Sequence, residues 1–152
     1  MHNTSRFPIV LLPILLLSLP LTLFAQSAEP PRSTEHDGRW TVQVTCDDVK
    51  DANGVVKGYS LTLPVEIRDG VLSGNYQTTT SSQASLTLTG SVLPGGALRI
   101  NAKGTTGSPE YSVGKVAPGR PYSYTMTGHL QSKSGEAVRQ ELRPCKASLT
   151  KQ

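Results

Sequence analysis

Histidine, cysteine and tryptophan are scarce in this chain, at three, two and one among 152 residues. Two cysteines and two widely separated histidines, His36 and His129, match no zinc-site spacing. Nucleophile motifs are missing too: there is no Gly-x-Ser-x-Gly elbow, no His-Glu-x-x-His, no phosphate loop and no dinucleotide fingerprint. Asp47, Asp48 and Asp51 near Asn53-Gly54 have the composition of a calcium loop. Placing Gly54 at the sixth position of such a loop, however, puts Val49 first and Ser60 last, where Asp and Glu belong. The expectation is a protein that is not an enzyme and uses no cofactor and no metal. Charge is equally uninformative. Fifteen Lys plus Arg against eleven Asp plus Glu leave a net of +4, scattered along the chain with no basic run interleaved with aromatics. That excludes nucleic acid as the expected partner.

One long apolar run is present, from Phe7 to Phe24, after a short start whose fixed side-chain charge is Arg6. Pro8, Pro13 and Pro20 interrupt it, and small residues follow at Ala25, Ser27 and Ala28. A charged start, an apolar middle and a small-residue cut site predict a signal peptide over 1–25, with no stable membrane span once it is removed. The expected location is periplasmic or secreted. Residues 26–37 are polar, with Pro30-Pro31 and no apolar period, and read as a solvated tether. Residues 38–152 then form a single domain.

Helical spacing is absent from that domain, and alternation replaces it. Trp40, Val42, Val44 and Cys46 share one face; so do Tyr59, Leu61, Leu63, Val65 and Ile67. Leu86, Leu88 and Val92 continue the pattern, then Leu98, Ile100 and Ala102, then Tyr122, Tyr124, Met126 and Leu130, then Val138, Gln140 and Leu142. Period-2 patterning in many short segments predicts an all-β domain of antiparallel strands. Asp69-Gly70 is a two-residue hairpin signal, because both turn residues take positive φ. Pro94-Gly95-Gly96 and Ser132–Glu136 mark further turns. Pro64 lacks a donor and belongs at an edge, at a bulge or on the outward side of its strand. The segment Leu86–Leu93 is echoed by Tyr124–Gln131, each running into a glycine-containing turn, with Gly90 and Gly128 in equivalent places. A repeated hairpin favours an up-and-down β-barrel, which removes exposed edges; a β-sandwich is the alternative. The strand count is seven or eight, the eighth being Glu110–Val116.

Cys46 and Cys145 lie near the two ends of the domain. If the end strands are neighbours, a disulfide closes the seam and, in the chain-entropy account, stabilises the fold by about 4–5 kcal/mol. With seven strands the tight turns gather at one end and the longer connections at the other; an eighth strand at Glu110–Val116 would make the last turns swap ends. Small barrels bind at the mouth that long loops surround. The richest loop is Gly104–Tyr124, with four glycines, three prolines and three tyrosines. Within it Glu110, Tyr111, Lys115 and Arg120 are the candidate binding residues, of types that carry recognition. The alternative reading makes Tyr122 and Tyr124 inward core residues of a strand, and His129 reads as an outward surface residue.

Asp37-Gly-Arg-Trp40, Gly107-Ser-Pro109, Gly119-Arg-Pro-Tyr122 and Arg143-Pro-Cys145 together resemble a set found in uncharacterised secreted β-domains of proteobacteria. The resemblance implies export and a β fold. Gly38-Arg-Trp40 with Gly70–Tyr76 is similar to the opening hairpins of avidin-like barrels, although Trp40 is the chain's only tryptophan. Ser73-Gly74-Asn75-Tyr76 resembles the Ser-Gly-x-x-Tyr loop of periplasmic lysozyme inhibitors, one residue short. The leading expectation is an exported binding module for a small molecule or an envelope protein. The alternatives are a periplasmic hydrolase inhibitor, of lysozyme or protease, and a structural envelope protein.

Overall fold

The computed structural model describes residues 31–78, 84–139 and 141–152. The expected signal peptide and the first part of the expected tether lie outside them, as does Gln140. In chain order the strands are β1 (Gly38–Cys46), β2 (Val49–Asp51), β3 (Gly54–Val56), β4 (Tyr59–Arg68), β5 (Val71–Gln77), β6 (Ser85–Val92), β7 (Ala97–Thr105), β8 (Pro121–Leu130), β9 (Ser134–Arg139) and β10 (Cys145–Lys151). Strands β4 to β10 form a meander, each antiparallel to the next, and β1 inserts between β4 and β10 to close an eight-stranded barrel. The short β2–β3 hairpin stands apart as its own two-stranded sheet. The fold is therefore all-β and a closed antiparallel barrel. Its eighth strand is β10; Glu110–Val116 instead forms two 3-10 turns, Pro109–Tyr111 and Val113–Lys115. An even number of strands makes the first and last antiparallel, so β1 and β10 close the cylinder without a crossover.

The alternating faces land where period-2 reading puts them for most strands. Trp40, Val42, Val44 and Cys46 of β1, Leu63, Val65 and Ile67 of β4, and Leu98, Ile100 and Ala102 of β7 are all buried. In β9 the inward set is one residue off the expected one. Gly135 and Ala137 point inward, whereas Val138 is 38% exposed and Leu142 is 81% exposed beyond the strand's end. The cause is register: β9 is fixed by pairing Leu130 with Gly135 and Gly128 with Ala137, and a shift of one residue turns every side chain to the other face. The pairing has to be this close. A Cβ on Gly128 would fall on the Glu136 carbonyl oxygen, so only glycine lets the two backbones meet there.

The tight-turn end is sealed. Asp69 and Gly70 both have positive φ, at 51° and 68°, as the Asp-Gly turn requires. The Asp37 carboxylate accepts hydrogen bonds from both of their backbone N–H groups, at 2.8 and 3.1 Å. Of the segment read as a solvated tether, residues 33–37 lie against this end. Ser33 N–H donates to the Val92 carbonyl, and the Trp40 indole N–H donates to the His36 carbonyl. His36 itself is only 3% exposed. Trp40 thus plugs the closed end.

Toward the other end the cylinder parts in two places. Pairing between β4 and β5 runs from Arg68↔Val71 only to Val65↔Gly74, and between β8 and β9 from Leu130↔Gly135 only to Thr127↔Val138. Pro64 sits one residue past the last β4–β5 pair, with its side chain exposed, where a missing N–H costs no ladder bond. The barrel consequently flares at its long-loop end. Cys46 and Cys145, directly opposite each other in the β1–β10 register, form a disulfide at that same end. The bond spans 99 positions of chain. Replacing both cysteines with alanine should remove up to about 4–5 kcal/mol and lower the thermal midpoint by roughly 15 °C. A calorimetric shift within error would show that the seam holds without its covalent tie.

Candidate functional site

The flared end encloses a cavity of about 590 Å³. The chain has five tyrosines, and all of them line it: Tyr59 at the start of β4, Tyr76 near the end of β5, Tyr111 in the first 3-10 turn, and Tyr122 and Tyr124 at the start of β8. Each strand tyrosine lies on the inward face of its strand and at the mouth end, so closure of the barrel converges them. The Tyr122 and Tyr124 rings are nearly parallel, 6.0 Å apart between centroids. The Tyr122 hydroxyl donates to the Ser85 carbonyl at 3.1 Å.

Two arginines complete the wall. Arg143, in the connection from β9 to β10, is 4% exposed. Its Nε donates to the Asp47 carbonyl at 2.9 Å, one Nη to the Tyr111 carbonyl at 2.7 Å, and the other Nη to the Lys57 carbonyl. The guanidinium also lies over the Tyr59 ring, 5.1 Å from its centroid. One planar cation thereby fastens three separate loops around the mouth, a use that its fixed fork of donors suits. Burial lowers its pKa, with the Tyr59 ring system opposing that shift. Arg139, the last residue of β9, stacks on Tyr124 at 4.3 Å. No aspartate or glutamate is among the described residues lining the cavity. Its walls are aromatic and apolar with a positive edge.

The loop from β7 to β8 forms the roof. Thr106 closes its neck, donating its N–H to the Arg120 carbonyl and accepting at its own carbonyl from Gly119 N–H, both at 2.8 Å. The β2–β3 hairpin braces it from outside. The Asp51 carboxylate accepts from Gly114 N–H at 2.7 Å, and that bond, with a second from Asn53, holds its pKa below the ordinary value. Glu110 pairs with Lys57 at 2.7 Å, and the hydrogen bond from Lys57 lowers its pKa likewise. The Lys115 ammonium donates to the Val55 carbonyl at 2.5 Å.

Of the four residues chosen from sequence, Tyr111 lines the cavity. Glu110 and Lys115 fasten its roof to the hairpin, and Arg120 is exposed at the neck. His129 is exposed. Ser73–Tyr76 lies within β5, paired with Leu86–Thr89, and Tyr76 turns inward to the cavity. Trp40 is at the opposite end of the barrel. Tyr59, Tyr76, Arg139 and Arg143 were missed. The tyrosines had left a trace, since each occupies the same end of an alternating run once strand direction is counted. Arg139 left none, because a charged residue in a strand is read as outward, and Arg143 lies in a connection, where a cation is read as solvated.

Among the described residues no group of three or more His, Cys, Asp or Glu stands together. Comparison with family models, curated proteins and solved structures finds no match to this chain.

Two outcomes follow from this geometry. Arg143→Met leaves three carbonyls without their donor and should cost about 3 kcal/mol in denaturant unfolding; an unchanged midpoint would show that the loops hold themselves. Burial raises the pKa of Tyr59, Tyr122 and Tyr124 above the ordinary phenol value of 10.0, with Tyr59 adding to the rise in the other two. The folded state keeps these protons where the unfolded chain has lost them. Stability should therefore fall as pH rises past about 10, by up to about 1.4 kcal/mol per pH unit for each tyrosine. Replacing all three with phenylalanine should flatten that slope, and an equally steep fall would place its origin elsewhere.

Proposed function

We propose that this protein is an exported, non-catalytic binding module that takes one small apolar molecule into the mouth of its barrel. The observation that carries this reading is the convergence of every tyrosine in the chain on a single 590 Å³ cavity in a barrel otherwise filled by its core. Small-molecule sites occupy about 300–1,000 Å³, are lined mainly by apolar and aromatic groups, and favour the mouths of barrels. Aromatic walls supply contact area with few torsions to freeze, which limits the entropy lost on binding. The roof is braced from outside by Asp51, Glu110 and Lys115, so the cavity is largely formed before a ligand arrives.

Export rests on two supports: the leader pattern of residues 1–25, and a disulfide of a kind that persists in oxidising compartments. Among the described residues no helix is long and apolar enough to cross a membrane.

The neutral fluorophore N-phenyl-1-naphthylamine tests the site. The domain should take it up at one per chain with enhanced emission. Leu61→Trp, which fills the cavity from β4, should abolish uptake while leaving the circular dichroism of the barrel unchanged. No uptake by the wild-type protein would overturn the reading and turn attention to protein recognition by the outer surface.

A further inference from the structure

We propose that the ligand of this cavity is a single-chain amphiphile, its aliphatic chain inside and its head group outside, gripped where the chain leaves by an apolar lip of Val113, Val116 and Leu142. The proposal rests on the reading of the cavity as a small-molecule site and specifies the chemistry of its occupant.

Seven large hydrophobic side chains are exposed among the described residues, and four of them, Tyr111, Val113, Val116 and Leu142, line this one cavity. Single exposed apolar residues need no explanation, but a cluster around an opening marks a surface that something covers. Leu142 is the extreme case, at 81% exposed. The lip is made by two elements. Val113 opens the second 3-10 turn of the roof and Val116 follows it, while Leu142 lies in the connection from β9 to β10. The cavity is thus apolar within, at Leu61 and the tyrosines, and apolar again at its edge.

The backbone is strained in both elements. Three non-glycine residues among those described have positive φ, and the hairpin turn accounts for Asp69. The other two are Lys115, at 51°, and Leu142, at 56°. Leu142 is the central residue of a three-residue turn closed by the Arg143 N–H on the Glu141 carbonyl at 2.6 Å, a γ-turn of the rarer, strained hand. Such strain persists only where the surroundings enforce it, and it gathers at ligand clamps. The enforcement here is polar. Arg143, fixed by three carbonyls, holds one side of Leu142. Gly114 N–H on Asp51 and the Lys115 ammonium on Val55 hold the roof turn between the two valines. Each half of the lip is therefore pinned with its apolar side chains in the open.

The interior has little for a head group to bond. Arg143 donates to backbone carbonyls and the Tyr122 hydroxyl to Ser85. Arg139 lies on the Tyr124 ring, with the Glu141 carboxylate 3.9 Å from it. The apolar end of the ligand therefore enters, and the head group stays in water at the mouth. A compact ring would occupy the cavity and leave the lip bare; a chain covers both.

Octyl, decyl and dodecyl maltoside, each kept below its micelle concentration, test the assignment by calorimetric titration and by displacement of N-phenyl-1-naphthylamine. Maltose serves as the head-group control and should not bind. Affinity should rise roughly five- to fifteen-fold for every two methylenes added. Leu142→Gly and Val116→Ser should each weaken dodecyl maltoside by about three- to ten-fold while leaving N-phenyl-1-naphthylamine in place. Glycine accepts the positive φ, so Leu142→Gly should also raise the thermal midpoint by roughly 3 °C. One change then moves stability and binding in opposite directions. A lowered midpoint would make Leu142 a packing residue and overturn its assignment. Affinity that ignores chain length, or full dodecyl maltoside affinity in both variants, would overturn the proposal. So would retention on phosphatidylcholine vesicles without uptake of the soluble maltosides, which would make the lip a membrane contact. If N-phenyl-1-naphthylamine still enters the cavity in these cases, the binding-site reading stands and only the amphiphile assignment falls. If no probe enters, both fall.

Discussion

Closure of the cylinder through β1 is the constraint on which the rest of the structure depends. From Trp40 to Cys46 every residue of β1 has a partner on both sides, in β4 and in β10. Without that insertion, β4 and β10 would each present an open edge with unpaired donors and acceptors, the usual route to pairing with another chain. With it, the inward faces of eight strands meet and bury one continuous core. The Cys46–Cys145 bond lies at the end of this seam, so the covalent tie sits where the hydrogen-bonded ladder gives way to loops.

The two ends of the barrel differ in how their polar groups and ladders are arranged. At the closed end Asp37 caps the Asp69-Gly70 turn and the His36 carbonyl receives the Trp40 indole. At the mouth the ladders part between β4 and β5 and between β8 and β9. Side chains there have neighbours on fewer sides, and a cavity opens that the tyrosines line without filling. Arg143 keeps this end from collapsing or fraying. Its guanidinium ties the segments after β1, after β3 and within the roof to one point.

Much of the fold was legible because alternation is a local property. The inward faces of β1, β4, β6 and β7 follow from which residues are apolar at every second position. The Asp69-Gly70 turn follows from residue chemistry. Where local signals ran thin, the reading slipped. In β9 the inward residues are Gly135 and Ala137, too small to register as a core face, while the larger Val138 faces out. The site was less legible than the fold. Tyr111 stood out in a loop rich in glycine and proline, but Glu110 and Lys115 proved to be fasteners of the roof. Arg139 and Arg143 were invisible because a cation on a cavity wall is favourable only once specific rings and carbonyls surround it.

By itself the sequence determined the faces of β1, β4, β6 and β7, the Asp69-Gly70 turn, the all-β class and the pair of cysteines available to close the domain. These depend on a period of two and on backbone preferences within a few residues. Tertiary structure decided the number of strands in the ring, the register of β9 and the gathering of five tyrosines and two arginines around one space. Each of these depends on contacts between distant positions, as between Arg143 and Asp47, 96 residues apart. Such contacts exist only after the ring has closed, and no local pattern encodes which side chains closure will bring face to face.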